Sequence, residues 1–111
     1  MKTMVTQITP QQLADKLAAG EPVYLLDVRQ PEENTFAALP NSTLIPLGEL
    51  ANRAAEVEPP PGALVVVYCH HGIRSLTGAA LLERAGIGPT ASLAGGIDAW
   101  SALIDPQVPR Y

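Results

Sequence analysis

The stretch Leu64-Val65-Val66-Val67-Tyr68, followed by the turn Cys69-His70-His71-Gly72-Ile73-Arg74, decides how this sequence folds. A continuous apolar run rich in valine is typical of a strand that is buried on both faces of a sheet. From Ser75 onwards the residues predict a helix that continues to Ala85 and is ended by Gly86. A buried strand, a short turn and a helix together form the repeating unit of a parallel α/β sheet.

The same alternation of strand and helix continues along the chain. Strands are predicted at residues 23–28, 43–45, 64–68 and 90–93, and helices at residues 10–19, 47–55, 75–85 and 97–103. This pattern predicts an α/β fold with an open, mostly parallel sheet that carries helices on both faces. The length of 111 residues predicts a single domain over residues 1–111.

Composition excludes several classes of function. Seven basic residues stand against eleven acidic ones, and they form no basic block, so we expect no nucleic-acid partner. The longest apolar run, Ala63 to Cys69, is far shorter than the ~20 residues that cross a bilayer, so we expect no membrane partner. Residues 1–7 lack the apolar core of a secretion signal, and the single cysteine forms no internal disulfide. We therefore expect a reducing, cytoplasmic location.

Reactive or charged side chains lie at the carboxyl ends of two predicted strands, where α/β sheets place their sites. One is Asp27-Val28-Arg29, and the other is Cys69 with its turn. Backbone N–H groups of the turn and of the following helix favour an anion, Gly72 permits a tight curl, and Arg74 adds positive charge. A cysteine in that setting should be partly thiolate and nucleophilic, whereas the alternative is a buried, inert cysteine.

Three motifs resemble those of rhodanese-type sulfurtransferases. They are Asp27-Val28-Arg29-Gln30-Pro31-Glu32-Glu33, the active-site loop Cys69-His70-His71-Gly72-Ile73-Arg74-Ser75, and Ala94-Gly95-Gly96-Ile97-Asp98-Ala99-Trp100. The resemblance spans nearly the whole chain and implies a three-layer rhodanese-like domain. It implies transfer of sulfane sulfur from a small anionic donor such as thiosulfate to cyanide, a thiol or a protein thiol, without metal or organic cofactor. The ending, residues 105–111, is weakly similar to that of domains appended to sulfur-carrier adenylyltransferases. A sulfur-carrier protein is a further candidate for the acceptor.

The resemblance also implies roles for individual residues. Cys69 would be the nucleophile that carries sulfur as a persulfide, and the residues from His70 to Arg74 would donate backbone amides to it, with Ser75 completing the loop. Arg74 would also attract the anionic donor. Four residues separate Cys69 from Arg74, one fewer than in phosphatases and arsenate reductases of similar fold. This shorter loop favours one sulfur atom over a tetrahedral phosphate.

Several roles have alternatives at this point. Arg29 is expected to pair with Glu32 or Glu33, and Asp27 to accept backbone N–H bonds; both would otherwise tune the site. His70 and His71 either line the mouth of the pocket or are ordinary exposed loop residues. We expect no metal site, because the chain has no further histidine or cysteine to complete one with this pair and Cys69. The alternative to an enzyme is a non-catalytic docking or regulatory module of the same fold.

Overall fold

The computed structural model describes residues 5–111. One parallel sheet has the strand order β1-β5-β4-β2-β3. The strands are β1 (Gln7–Ile8), β2 (Val23–Asp27), β3 (Ser42–Leu44), β4 (Leu64–Tyr68) and β5 (Thr90–Leu93). The helices are α1 (Pro10–Ala18), α2 (Pro31–Phe36), α3 (Leu47–Arg53), α4 (Arg74–Arg84) and α5 (Gly96–Leu103), and a short 3-10 helix at Ala54–Glu56 follows α3. The predicted α/β fold with a parallel sheet is confirmed.

Alternate residues of β4 enter two separate apolar cores, which explains its continuous apolar run. Val66 and Tyr68 pack in one core, with residues of α1 and α5 such as Leu13 and Trp100. Val65 and Val67 pack in the other core, with residues of α3 and α4 such as Leu50, Ala79 and Leu82. The sheet therefore has helices on both faces, as predicted, and the protein has three layers.

Two elements escaped the sequence analysis, and several predicted boundaries differ from the structure by one or two residues. The strand β1 has only two residues, too few for an alternating pattern. The helix α2 buries none of its residues and is fixed instead by a capping box between Gln30 and Glu33, so it shows no apolar face. The helix α4 begins at Arg74, one residue before the predicted start.

The topology brings the predicted site residues to one edge of the sheet. The central strand β4 lies between β2 and β5, and Asp27 at the end of β2 is in register with Tyr68 at the end of β4. Asp27, Cys69 and the glycines after β5 therefore share the carboxyl edge, where α/β sheets bind ligands.

No helix within residues 5–111 has the length and apolarity that a membrane crossing requires. The secretion-signal prediction rests partly on residues 1–4, which lie outside the described residues.

Candidate active site

Cys69 begins the turn directly after β4, and its side chain is buried, with 1% exposed. Its Sγ accepts hydrogen bonds from the backbone amides of Gly72 at 3.2 Å and Ser75 at 3.4 Å. The hydroxyl oxygen of Ser75 lies 3.5 Å from the same sulfur. Two backbone amides thus donate to a single sulfur atom, an arrangement that stabilises negative charge there, and the Cys69 thiol itself donates to the Ser75 hydroxyl oxygen.

The backbone amides that contact the sulfur are not all the ones that the sequence analysis predicted. Of the loop amides predicted to contact the sulfur, only that of Gly72 does so within the described chain, and Ser75 supplies the second. Gly72 has a φ of +95°, a left-handed conformation that favours glycine and lets the chain after it turn tightly around the sulfur. The helix α4 then starts at Arg74, so the Ser75 amide is among the unpaired N–H groups of its first turn.

A second hydroxyl supports the first. Ser92 of β5 lies 2.7 Å from Ser75, oxygen to oxygen, and both side chains are fully buried. Buried hydroxyls need hydrogen-bond partners, and this pair satisfies one another beside Cys69. The sequence analysis missed Ser92, although a serine within the short buried strand Thr90–Leu93 was a signal that could have pointed to a polar partner.

The segment that follows Ala94-Gly95-Gly96 binds the backbone of the sulfur loop. The amide of Ile97 donates to the carbonyl of Cys69 at 2.9 Å, and that of Asp98 donates to the carbonyl of His70 at 3.1 Å. Gly96 has a φ of +63°, and a Cβ there would overlap the carbonyl oxygens of Cys69 and His70. The start of α5 therefore contacts the backbone of the loop so closely that only glycine fits.

Asp27 and Arg29 form a buried ion pair beneath the site. Arg29 Nη2 donates to Asp27 Oδ2 at 2.8 Å and Nε donates to Oδ1 at 2.9 Å, with both side chains fully buried. Asp27 also accepts the backbone N–H of Arg29 at 3.0 Å, as predicted. Although burial alone lowers the pKa of Arg29, hydrogen bonds to Asp27 and Tyr111 raise it above its ordinary value.

The predicted pairing of Arg29 with Glu32 or Glu33 is wrong. Arg29 is fully buried and pairs with the equally buried carboxylate of Asp27. Of Glu33, it reaches only the backbone oxygen, at 3.5 Å.

The carboxylate of Glu33 instead binds Arg74 through two hydrogen bonds, at 2.7 and 3.0 Å. These bonds lower the pKa of Glu33 to about 2, and they raise the pKa of Arg74. Arg74 is therefore not the free cation that the sequence analysis expected to attract an anionic donor. Its contact with α2 anchors the start of α4, and so the end of the sulfur loop.

The two histidines lie side by side. His70 stacks on His71 with ring centroids 3.8 Å apart, and His71 Nε2 lies 3.7 Å from the carboxylate of Asp98. His70, His71 and Asp98 each offer a ligand atom within 4.8 Å of the others, a grouping that the sequence analysis missed. Both oxygens of Asp98 already accept hydrogen bonds from Arg110, at 3.0 and 3.2 Å. The expectation of no metal site stays a prediction.

Two further side chains of the loop region are prominent at the surface. The side chain of Ile73, in the turn itself, is 73% exposed. Tyr111, which the sequence analysis did not single out, stacks on His70 and hydrogen-bonds to Glu33. The similarity of residues 105–111 included Tyr111 but gave it no role, because its contacts join residues far apart in sequence.

The sequence model of the rhodanese-like domain matches residues 9–103. The chain belongs to the rhodanese-like domain family. A sulfurtransferase of Allochromatium vinosum is 36% identical over 98 residues, which cover 88% of this chain and 90% of that protein. The probable adenylyltransferase/sulfurtransferase MoeZ of Mycobacterium tuberculosis is 33% identical over 94% of this chain, which spans only 26% of MoeZ. The crystal structure of thiosulfate sulfurtransferase from Pseudomonas aeruginosa matches with a TM-score of 0.79 and 30% identity, over 88% of this chain and 19% of that one.

These similarities confirm the family and the three-layer fold expected from the three motifs. They also support sulfur transfer as the general chemistry of this rhodanese-like domain.

Proposed function

We propose that this rhodanese-like domain transfers sulfane sulfur from a small anionic donor such as thiosulfate to a thiophilic acceptor, through a persulfide on Cys69. The observation that carries the proposal is the convergence of the Gly72 and Ser75 backbone amides as donors on Cys69 Sγ. A buried cysteine with a merely structural role needs no such set of donors.

The reaction divides into two displacements at sulfur. In the first, the Cys69 thiolate attacks the outer sulfur of thiosulfate; a new S–S bond forms, the old one breaks, and sulfite leaves with the electron pair. In the second, cyanide or a thiolate attacks the outer sulfur of the persulfide, and Cys69 leaves as the thiolate. Each displacement returns a negative charge to a sulfur atom beside the loop, where the donors from Gly72 and Ser75 stabilise it. These two displacement steps require no oxidant, metal or organic cofactor.

The acceptor class extends to protein thiols and sulfur-carrier proteins. The name of MoeZ joins adenylyltransferase and sulfurtransferase in one protein, and this chain matches a quarter of its length. The exposed Ile73 at the turn offers an apolar contact to a partner larger than cyanide. Such a transfer requires a free thiol, which a reducing cytoplasm maintains.

The test compares the wild-type protein with Cys69→Ser in a thiosulfate:cyanide assay that measures thiocyanate. We expect turnover by the wild type and none by the serine variant, with closely similar melting curves, because the hydroxyl retains the shape of the side chain. Retained turnover in Cys69→Ser would contradict the mechanism. A folded wild-type protein without turnover on thiosulfate or on a persulfide donor would favour the docking module.

A further inference from the structure

Tyr111 lies against the sulfur loop although it belongs to none of the three motifs. Its ring stacks on that of His70, with centroids 3.9 Å apart and planes inclined by 8°. Its other side meets Phe36 of α2 edge-on, at a centroid distance of 5.7 Å. The ring thus bridges the residue that follows Cys69 and a helix that is remote in sequence.

The hydroxyl of Tyr111 joins the two ion pairs of the site. It accepts a hydrogen bond from Arg29 Nη1 at 2.7 Å and donates one to Glu33 Oε2, also at 2.7 Å. Glu33 in turn binds Arg74 at the start of α4. Arg29 Nη1 also reaches the backbone oxygen of Glu33, at 3.5 Å, but the Tyr111 hydroxyl links the Arg29 side chain to the Glu33 carboxylate through two shorter bonds.

The protonation of Tyr111 suits this double role. Partial burial raises the pKa of Tyr111, the hydrogen bond from Arg29 lowers it and the bond to Glu33 raises it, so that the resulting pKa is about 12. The phenol therefore keeps its proton at neutral pH and donates it to a carboxylate that stays ionised. Hydrogen bonds to charged groups are the stronger class of such bonds, and this hydroxyl makes two of them.

We propose that Tyr111 is a positioning residue of the sulfur site, which acts on the loop at two points. Its hydroxyl fixes Glu33 and thereby Arg74, at the carboxyl end of the loop. Its ring holds the imidazole of His70, at the other end, next to Cys69. The inference rests on the proposed function, since the loop that it positions is the one that would carry the persulfide.

The first test uses two variants that separate hydroxyl from ring. Tyr111→Phe keeps the stack and removes the hydroxyl, whereas Tyr111→Ala removes both. We expect kcat/KM for sulfur transfer to fall about tenfold in Tyr111→Phe and further in Tyr111→Ala, as the loss of one charged hydrogen bond suggests. Tyr24→Phe is the matched control, because the Tyr24 hydroxyl makes no side-chain hydrogen bond within the described chain, and its activity should not change.

A double-mutant cycle distinguishes positioning from a general loss of stability. If Tyr111 acts through Glu33, the effect of Tyr111→Phe should shrink to less than about twofold in a Glu33→Gln background. An effect of the same size in both backgrounds, or wild-type activity in Tyr111→Phe and Tyr111→Ala, would overturn the inference.

The rate at which iodoacetamide alkylates Cys69 gives a readout that does not depend on sulfur transfer. A displaced loop should change this rate in Tyr111→Ala relative to both the wild type and Tyr24→Phe. An altered alkylation rate in a protein without sulfur transfer would contradict the proposed function and retain the positioning role. An unaltered rate in Tyr111→Ala would contradict the positioning role itself.

Discussion

Gly96→Ala should disrupt the sulfur loop more than alanine at any other glycine of the described chain. At the φ of Gly96, +63°, an alanine costs about 1–2 kcal/mol from backbone strain alone. The added Cβ would also lie 2.5 Å from the carbonyl carbon of His70, and it would overlap the carbonyl oxygens of Cys69 and His70. Relief of that overlap requires α5 and the loop to separate.

The separation removes two hydrogen bonds, from Ile97 to Cys69 and from Asp98 to His70. Each is worth about 0.5–1.5 kcal/mol, so with the strain the total loss in the free energy of unfolding is about 2–5 kcal/mol. A loss of that size is a large fraction of the ~5–15 kcal/mol that stabilises a domain of this kind. It should lower the melting temperature by roughly 10 °C or more.

Gly86→Ala is the matched control. Gly86 has a φ of +80°, but a Cβ there would meet no atom within 4 Å. It should therefore show the strain alone, about 1–2 kcal/mol, and keep its sulfur transfer. Denaturant unfolding gives the two free energies, and the thiosulfate:cyanide assay gives the activities. Equal destabilisation in both variants, with activity preserved in Gly96→Ala, would refute the reasoning that α5 supports the loop through this contact.

Three further predictions concern the charged residues around the loop. Arg29→Ala should lower the free energy of unfolding by about 3–5 kcal/mol, because it leaves Asp27 buried without its partner; in denaturant unfolding, Arg53→Ala, which breaks an exposed ion pair, should have a much smaller effect. Arg74→Ala should lower kcat/KM by a similar factor for thiosulfate and for a neutral persulfide donor, since Glu33 already neutralises the guanidinium. A loss of kcat/KM for thiosulfate alone would show that Arg74 attracts the anionic donor. The pKa of Glu33 in the folded protein, about 2, lies below its ordinary value of 4.5, so its contribution to stability is present above pH 4.5 and is lost as the pH falls toward 2. Stability curves over that range should decline less for Glu33→Gln than for the wild type, and identical declines would contradict the assignment.

The sequence predicted the parts of the fold that depend on buried periodic patterns. The run Leu64–Tyr68 is apolar because β4 is covered on both faces, and its predicted bounds agree with the structure. The helix α2 escaped prediction because its stability comes from a capping box and from contacts of Glu33, which leave no apolar period. Periodicity reports burial, and α2 buries no residue.

In the site, too, some features were predictable from the sequence and others were not. Cys69 and its loop were predictable because consecutive residues, a strand end, Gly72 and a helix start, lie within one stretch of sequence. The partners of the charged residues were not, since the Arg74–Glu33 bond spans 41 positions and the Tyr111–Glu33 bond spans 78. Proximity in sequence favoured an ion pair between Arg29 and Glu32 or Glu33, whereas in the folded protein Glu33 pairs with Arg74.

The most direct test of the account is the mass of the protein after exposure to thiosulfate. Intact-protein mass spectrometry should show an adduct of about 32 Da, the mass of one sulfur atom, as expected for a covalent intermediate of nucleophilic catalysis. Peptide mapping should place it on Cys69, the single cysteine of the chain, and cyanide should remove it. The adduct should be absent from Cys69→Ser. A wild-type protein that turns over thiosulfate and cyanide without ever carrying this mass would contradict the persulfide on Cys69.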